Sequence, residues 1–386
     1  MRFSRLVQTL ILAGLQNVIA PPVQAVEVGA IDFQGSGFLT LAAGTVLNSG
    51  DAQSASGYNC PCFISGYADA SVYEKGGVKW RPDSKLGLQG SATFNERYSL
   101  TSQVVMRGAS GGNVELQWLY GSIRFNDKLT LQGGRKRLPL FYYSEMQDVG
   151  ISYPWVHLPP QLYGWEAVNY NGANLYYEDQ WGDWSSGLNF FTGSETVKDN
   201  GYWKMYNGKN TRTDSHWSEI AGTYLSLNNG WFETRMLYIQ SNIQNTTPPA
   251  LEFGNQTRQK IYGISFNADY EQWVARTEFL YINRKESYGG DHTQLYGLGY
   301  HFGKWLPMVT YSNYRQTFSA DQTQAEAHST TSLLLRYSLT PSSDIKLQYD
   351  HWQNHAQTPF FTSAYPNTDV PIGSANLLSA SYDIVF

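Results

Sequence analysis

The chain has no window of about 18 uninterrupted apolar residues, which excludes a membrane-spanning helix. If it crosses a membrane it does so as strands, whose alternating side chains produce no hydropathy peak. A basic surplus is also missing. The first 25 residues hold two of the 27 Lys and Arg and none of the 32 Asp and Glu, so the remainder carries −7 and nucleic acid is not an expected partner. Cysteine is almost absent. Cys60-Pro61-Cys62 holds both, with no His nearby in sequence, and two thiolates alone do not close a tetrahedral metal site. The favoured reading is a tight disulfide formed in an oxidising compartment; the alternative is a pair kept reduced by the strain of so short a ring. The seven histidines show no catalytic constellation. His328-Ser329 is expected on a loop where the two side chains point apart, and His351 and His355 have no serine motif opposite them, so no enzyme and no cofactor is expected.

Aromatics and glycine, by contrast, are plentiful. There are 12 Trp, 28 Tyr, 18 Phe and 36 Gly, with a mean hydropathy of −0.41. That composition suits a transmembrane β-barrel with a wet interior and aromatic girdles at both interfaces, and less well a secreted β-rich soluble protein. At the amino end Arg2 and Arg5 precede an apolar stretch from Leu6 to Ala20, and Val23-Gln24-Ala25 reads as a small-residue cleavage site. Residues 1–25 are therefore expected to be a signal peptide and 26–386 the mature chain. The carboxy-terminal run, Leu377 to Phe386, alternates with Phe386, Ile384, Tyr382, Ala380 and Leu378 on one face and Val385, Asp383, Ser381 and Ser379 on the other. It resembles the closing strand of bacterial outer-membrane barrels.

Seven short turn signals punctuate the chain, near Asn95-Glu96, Asn126-Asp127, Gly182-Asp183, Asn228-Asn229-Gly230, Glu271-Gln272, Gly303-Lys304 and Pro341 to Asp344. Seven hairpins plus one strand at each end give an all-β fold, an antiparallel transmembrane barrel of about 16 strands. The alternation fixes the faces. Trp273, Ala275, Thr277, Phe279 and Tyr281 face lipid while Arg276, Glu278, Leu280 and Ile282 face the lumen, since a charge facing lipid near the midplane costs about 2–4 kcal/mol. Ile345, Leu347 and Tyr349 likewise point out and Lys346, Gln348 and Asp350 in; Val114 to Phe125 alternates less cleanly.

With both termini periplasmic, the third outer loop runs from about Leu138 to Glu166. It is long for a hairpin connection and rich in stiff, bulky residues that pack rather than stay solvated. Gly134-Arg135-Lys136-Arg137-Leu138-Pro139, followed by Asp148-Val149-Gly150, Tyr153-Pro154-Trp155 and Pro159-Pro160, resembles the fifth strand and infolded third loop of trimeric Gram-negative porins, in particular a porin-like branch with Tyr-Pro-Trp and Pro-Pro in that loop. The resemblance implies an outer-membrane location, a homotrimer, and an eyelet where acidic loop residues face a basic wall. Carried onto this chain, Glu145 and Asp148 are the acidic side, flanked by Tyr153 and Trp155. Arg107, Arg124, Arg135, Lys136 and Arg137 are the basic wall.

Opposed charges across a wet constriction would admit polar solutes and bias ion choice. The expected function is passive diffusion of small hydrophilic solutes and ions. The alternatives are a substrate-specific channel with an aromatic constriction, or a non-conducting adhesin or anchor that binds through Ser194 to Ser215 or Gln357 to Ser374. Of the consecutive Arg135, Lys136 and Arg137, at most two can face the lumen of a regular strand. Glu278 and Arg276 are expected in an internal ion-pair network, and Trp155 as a plug holding the loop to the wall.

Overall fold

The computed structural model describes residues 25–28, 31–49, 52–53, 57–247, 251–284, 289–317, 326–355 and 373–386. Sixteen antiparallel strands close into a barrel. They are β1 (Ile31–Val46), β2 (Lys85–Thr93), β3 (Tyr98–Arg107), β4 (Val114–Arg124), β5 (Leu129–Arg137), β6 (Asn169–Trp181), β7 (Trp184–Val197) and β8 (Asp214–Asn228). The second half comprises β9 (Phe232–Thr247), β10 (Leu251–Tyr270), β11 (Trp273–Arg284), β12 (Gly289–Tyr300), β13 (Trp305–Thr317), β14 (Ala327–Thr340), β15 (Ser343–Asn354) and β16 (Ser374–Val385). All seven expected short turns fall between consecutive strands, so the strand count read from the sequence holds.

β1 closes the ring. Its first half pairs with β2, Asp32↔Thr93 to Thr40↔Lys85, and its second half with β16, Phe38↔Val385 to Val46↔Leu377. The terminal aromatic joins the closure: Gly37 and Phe386 exchange backbone hydrogen bonds of 2.6 and 2.9 Å. The Phe386 ring lies on Gly37, where a Cβ would come within 2.5 Å of it, so a larger residue there would displace the ring.

Period-two patterning controls burial on strands such as β15 and β11. Ile345 and Leu347 are exposed on the outside while Lys346, Gln348 and Asp350 are buried inside; Trp273 is out and Val274, Leu280 and Ile282 are in. The irregular β4 has a physical cause. A bulge sets Gln103 opposite Trp118 but Val104 opposite Leu116, so Gln117 is an extra residue and the alternation changes phase.

A row of glycines crosses three strands on the inner wall. Gly134 of β5 faces Gly172 of β6, which faces Gly193 of β7. A Cβ at Gly134 would meet the Leu119 carbonyl oxygen at 2.2 Å and one at Gly172 the Thr192 carbonyl oxygen at 1.9 Å, so the backbones approach as only glycine permits. The wall is left bare of side chains along this row.

Two long loops enter the lumen. Loop 3, between β5 and β6, contains single turns at Ser144–Met146 and Gly150–Ser152 and the short helix α1 (Pro160–Tyr163). Loop 1, between β1 and β2, contributes the small hairpin Phe63–Gly66 with Ser71–Tyr73, and its Phe63 and Tyr73 are fully buried. The sequence reading placed only loop 3 inside. Cys60 and Cys62 of loop 1 are joined as a disulfide. Tyr58 and Cys60 pack with Tyr67 of the same loop and with Met205 of α2 (Gly201–Asn207), so this helix covers part of the barrel mouth. Of the two loops proposed as binding surfaces, Ser194 to Ser215 contains α2, and residues 357–372 of the other lie outside the described residues.

Candidate pore constriction

Loop 3 is held from both ends and along its length. At its start Arg235 of β9 donates to the carbonyls of Pro139 (3.2 Å) and Phe141 (3.4 Å), pairs with Glu145 (3.3 Å) and lies 3.9 Å over the Tyr224 ring. Glu278 of β11 accepts from the Tyr142 amide at 2.8 Å and the Tyr163 hydroxyl at 2.7 Å, and Arg276 donates to the Tyr143 hydroxyl at 3.0 Å. Glu278 and Arg276 thus each hold the loop; of the internal ion pairs expected for them, Arg276 makes one, with Asp269 at 2.8 Å. Farther along, Arg336 donates to the Ile151 carbonyl (3.0 Å) and Lys346 to that of Gly150 (2.6 Å). Gln348 accepts from the Val156 amide (2.8 Å), and Trp155 donates its indole N–H to Thr310 (3.3 Å).

Beneath this polar frame is a dry core. Tyr143, Tyr153, Trp155, Leu162 and Trp165 of the loop pack on inward residues of the wall, among them Ile239, Ile261, Ile282, Leu295, Met308 and Leu334. Fully burying one such side chain stabilises by roughly 1.5–3 kcal/mol, so the loop is held by apolar contact as much as by hydrogen bonds. Trp155 is 0% exposed, with its ring centroid 5.8 Å from that of Tyr143. Tyr153 is enclosed by two lysines: Lys85 donates to its hydroxyl at 2.9 Å and Lys346 stands 4.9 Å over its ring.

The charged candidates separate by position as well as phase: of the in-phase Arg135 and Arg137, only Arg137, at the strand end, reaches loop 3. Asp148 sits between Arg107 of β3, at 2.7 Å, and Arg137 at the end of β5. Arg107 also meets Glu115 at 2.6 Å and Asp69 of loop 1 at 3.3 Å. Burial pushes the Asp148 carboxyl up, but the nearby cations Arg107, Arg137 and Lys85 outweigh it and hold the group well below the usual carboxylate range. This is a buried cluster in direct contact, not a pair of opposed rows across water.

Lys136 shares its face with Gln132 and donates to it and to Asn174 (2.9 Å). Arg135, on the opposite face of β5, donates to Glu195 (2.9 Å) and to the Leu116 carbonyl (2.9 Å). Arg124 stands at the short-turn end of β4, opposite Thr130 and far along the strand from loop 3. The arrangement therefore brings Arg107, Arg137 and Asp148 together, gives Glu145 to Arg235, and leaves Arg124 and Arg135 elsewhere.

Sequence reasoning did not single out His157. Its ring lies between Asp83 of loop 1 (3.2 Å) and Asp350 of β15 (3.3 Å), tying both infolded loops to the wall. Burial lowers its pKa, yet the two carboxylates prevail and push it up to about 10, so the imidazolium is the resident form at neutral pH. His328 and Ser329, expected on a loop, stand within β14, where ladder pairing with β13 and β15 extends the strand over them. His355 reaches Ser329 at 2.7 Å. His328 stacks on Tyr314 and meets Glu326 at 2.9 Å.

On the other side of the lumen the wall is not covered in the same way. The inward Trp118, Tyr120, Lys136, Tyr176, Glu178 and Tyr224 are half-buried, whereas Lys346, Gln348, Asp350, Ser379 and Asp383 on β15 and β16 are at most 1% exposed.

With this geometry in place, the comparisons that find a likeness are structural. No protein-family model matches the sequence, and no curated protein does. Among solved structures, OmpF of Salmonella typhi in complex with daunomycin superposes with a TM-score of 0.60 at 9% identity, over 94% of this chain and all of that one. The anion-selective porin from Comamonas acidovorans gives 0.57 at 13% identity over 92% of this chain and all of that one. For a loop-deleted OmpT of Vibrio cholerae the figures are 0.57, 9%, 93% and 100%. The fold is that of the outer-membrane porins. At these identities the likeness lies in strand number and closure, and the filling of the lumen is read from this chain alone.

Proposed function

We propose that the chain is an outer-membrane channel, exported with removal of residues 1–25, through which small hydrophilic solutes and ions diffuse along the lumen side lined by β4–β6. The observation that supports this most is the asymmetric docking of loop 3. It is pinned to β9 and β11–β15, and the inward side chains Trp118, Tyr120, Lys136 and Tyr176 stay half-buried. At the opening Lys136 donates to Gln132 and Asn174 and lies 4.8 Å over the Tyr120 ring. Most other charges at this level are paired within the protein, so ion selectivity is expected to be weak.

Trimeric assembly is part of this reading. The outward face of β1–β4 is largely aliphatic, with Leu41, Leu88, Leu100, Leu116 and Leu119, and its exposed aromatics Phe33, Phe94, Tyr98 and Phe125 stand near the short-turn end. The rest of the outer surface carries the aromatic girdle, including Trp181, Tyr262, Trp273, Tyr296, Trp305 and Tyr311. A gap in a lipid-facing girdle fits a surface turned toward other copies.

The test is conductance of the refolded mature protein in a planar bilayer under a salt gradient. Stable open steps with a small reversal potential are expected. The packing of loops 1 and 3 also favours a second reading, a filled barrel that binds a partner through its outer loops. A folded, heat-modifiable protein that never conducts would support that reading and overturn the first.

A further inference from the structure

We infer that the outward face of β9–β13, at the loop end of the aromatic girdle, binds the phosphate groups of lipid headgroups in the outer leaflet; this rests on the outer-membrane reading above, which turns β1–β4 toward other copies and leaves this face to lipid. Two features carry the inference. The first is a ribbon of rings that follows the strand register. Tyr238 of β9 stands opposite Tyr262 of β10, Tyr262 opposite Tyr281 of β11, and Tyr281 opposite His292 of β12. Their ring centroids are 5.3, 6.3 and 4.6 Å apart, and Tyr262 is 44% exposed. Arg315 of β13, the register partner of His292, ends the ribbon.

The second feature is charge that the protein leaves unmatched. On β10 the next two outward positions toward the long loop are Lys260 and Arg258, about 7 Å apart on an extended strand. Arg258, Lys260 and Arg315 are all exposed. Arg258 donates to the Gln240 side chain at 3.3 Å, and among the described residues none of the three meets a carboxylate. The outward positions of β10 from Gln256 to Tyr270, of β11 from Trp273 to Asn283, of β12 from His292 to Tyr300 and of β13 from Trp305 to Thr317 hold no Asp or Glu. At the edge of the patch Glu219 of β8 is engaged by Asn242, the register partner of Arg258, at 2.8 Å. The lumen is the contrast. There Arg107, Arg235 and Lys346 each meet a carboxylate of the protein.

A cation on the lipid side of a barrel is costly at the midplane and nearly free at the interface, and tyrosines mark the interface. Just beyond them a side chain meets headgroup phosphates, to which Arg presents a fork of donors and Lys a point charge. The exposed rings then cover the apolar part of the same lipid below its headgroup. A second copy of the chain fits this face less well, because a two-fold contact would set cation against cation.

The experiment is native mass spectrometry of the folded mature protein in non-ionic detergent micelles. The probe is diphosphoryl lipid A, a bisphosphorylated glucosamine disaccharide with acyl chains, and phosphatidylcholine is the comparison. Lipid A should be retained at lower concentration than phosphatidylcholine. Arg258→Gln together with Lys260→Gln should weaken its binding by about tenfold or more, and Arg315→Gln by about fivefold, the usual size for one cation at an anionic surface. Lys128→Gln with Lys304→Gln, the same loss of charge at the short-turn end, should stay within about twofold of the parent. Arg315→Gln carries the test should the double variant on β10 not reach the heat-modifiable folded form. Unchanged lipid A binding in these variants would overturn the inference, as would equal retention of phosphatidylcholine. Displacement of lipid A by millimolar inorganic phosphate would overturn it in favour of a site for anions from solution, and an oligomer mass lost on the same substitutions in favour of a contact between copies. The readout needs no ionic current, so a wild type that binds lipid A and never conducts would fell the channel reading alone.

Discussion

The inner faces of β4–β6 and of β11–β15 are built from the same alternation and end in different chemistry. On β11–β15 the inward positions pair with a loop: Leu280, Ile282, Leu295, Met308 and Leu334 take its rings, and Glu278, Arg336, Lys346 and Gln348 take its backbone. On β4–β6 they pair with one another, as a ladder of amides beside half-buried rings. A β-barrel pattern thus specifies only which side chains enter the lumen, and the loops decide which part of the lumen stays wet.

The strongest way to break the contrast is at Asp148. Asp148→Leu leaves Arg107 and Arg137 buried with their shared partner gone, and is expected to cost about 3–5 kcal/mol. The loss would appear as a lower urea midpoint of the refolded barrel, together with larger and noisier conductance as loop 3 loosens. An unchanged midpoint would mean that the cluster does not hold the loop. Trp155→Ala opens a cavity within the dry core and should cost about 3–5 kcal/mol, at the low end if neighbouring rings collapse inward. Its effect should be confined to the occluded half, leaving the reversal potential where it was.

The next effect depends on pH. His157 has a folded pKa of about 10, above its ordinary value near 6.5, so the stability it contributes is complete below about pH 6.5 and is lost as pH rises through 10. Loop docking should therefore weaken between roughly pH 7 and 10, read as rising current noise. His157→Gln should flatten that dependence, and equal slopes in the two proteins would refute the role. Smallest is the comparison of neighbours on β5. Lys136→Glu should move the reversal potential toward cations by several millivolts, while Arg135→Glu, on the other face, should leave it nearly unmoved. Equal shifts would place both residues at the opening.

Much of this was legible in the sequence because a barrel strand obeys two constraints at once, period two along the strand and low charge toward lipid. Turn residues, strand number, the faces of β11, β15 and β16, and the length of loop 3 all follow from those. The partner of Asp148 was within reach too, since Arg107 is in phase with Thr101 and Gln103. Loop 1 was not legible. Its Gly and Ser content reads as solvated linker, and the residues that bring it inside, Phe63, Tyr73 and Asp83, find their partners on distant segments. For the same reason Arg235 and His157 carried no signal: each is a lone charge whose partners lie far off in sequence, at Glu145 and at Asp83 with Asp350.

The seating of Gly150 against β16 bears on assembly. A Cβ there would fall 1.8 Å from the Asp383 carboxylate, so the last strand fits only against a loop tip with no side chain. Synthesis runs from β1 toward β16, and loop 3 exists before any of the strands on its far side. A ring closed over an empty lumen would leave Ile239, Ile261, Ile282 and Leu334 facing water, a state prone to aggregate. Joining β16 to β1 is then also a checkpoint, because the strand that completes the circle is the one whose own carboxylate touches the seated loop.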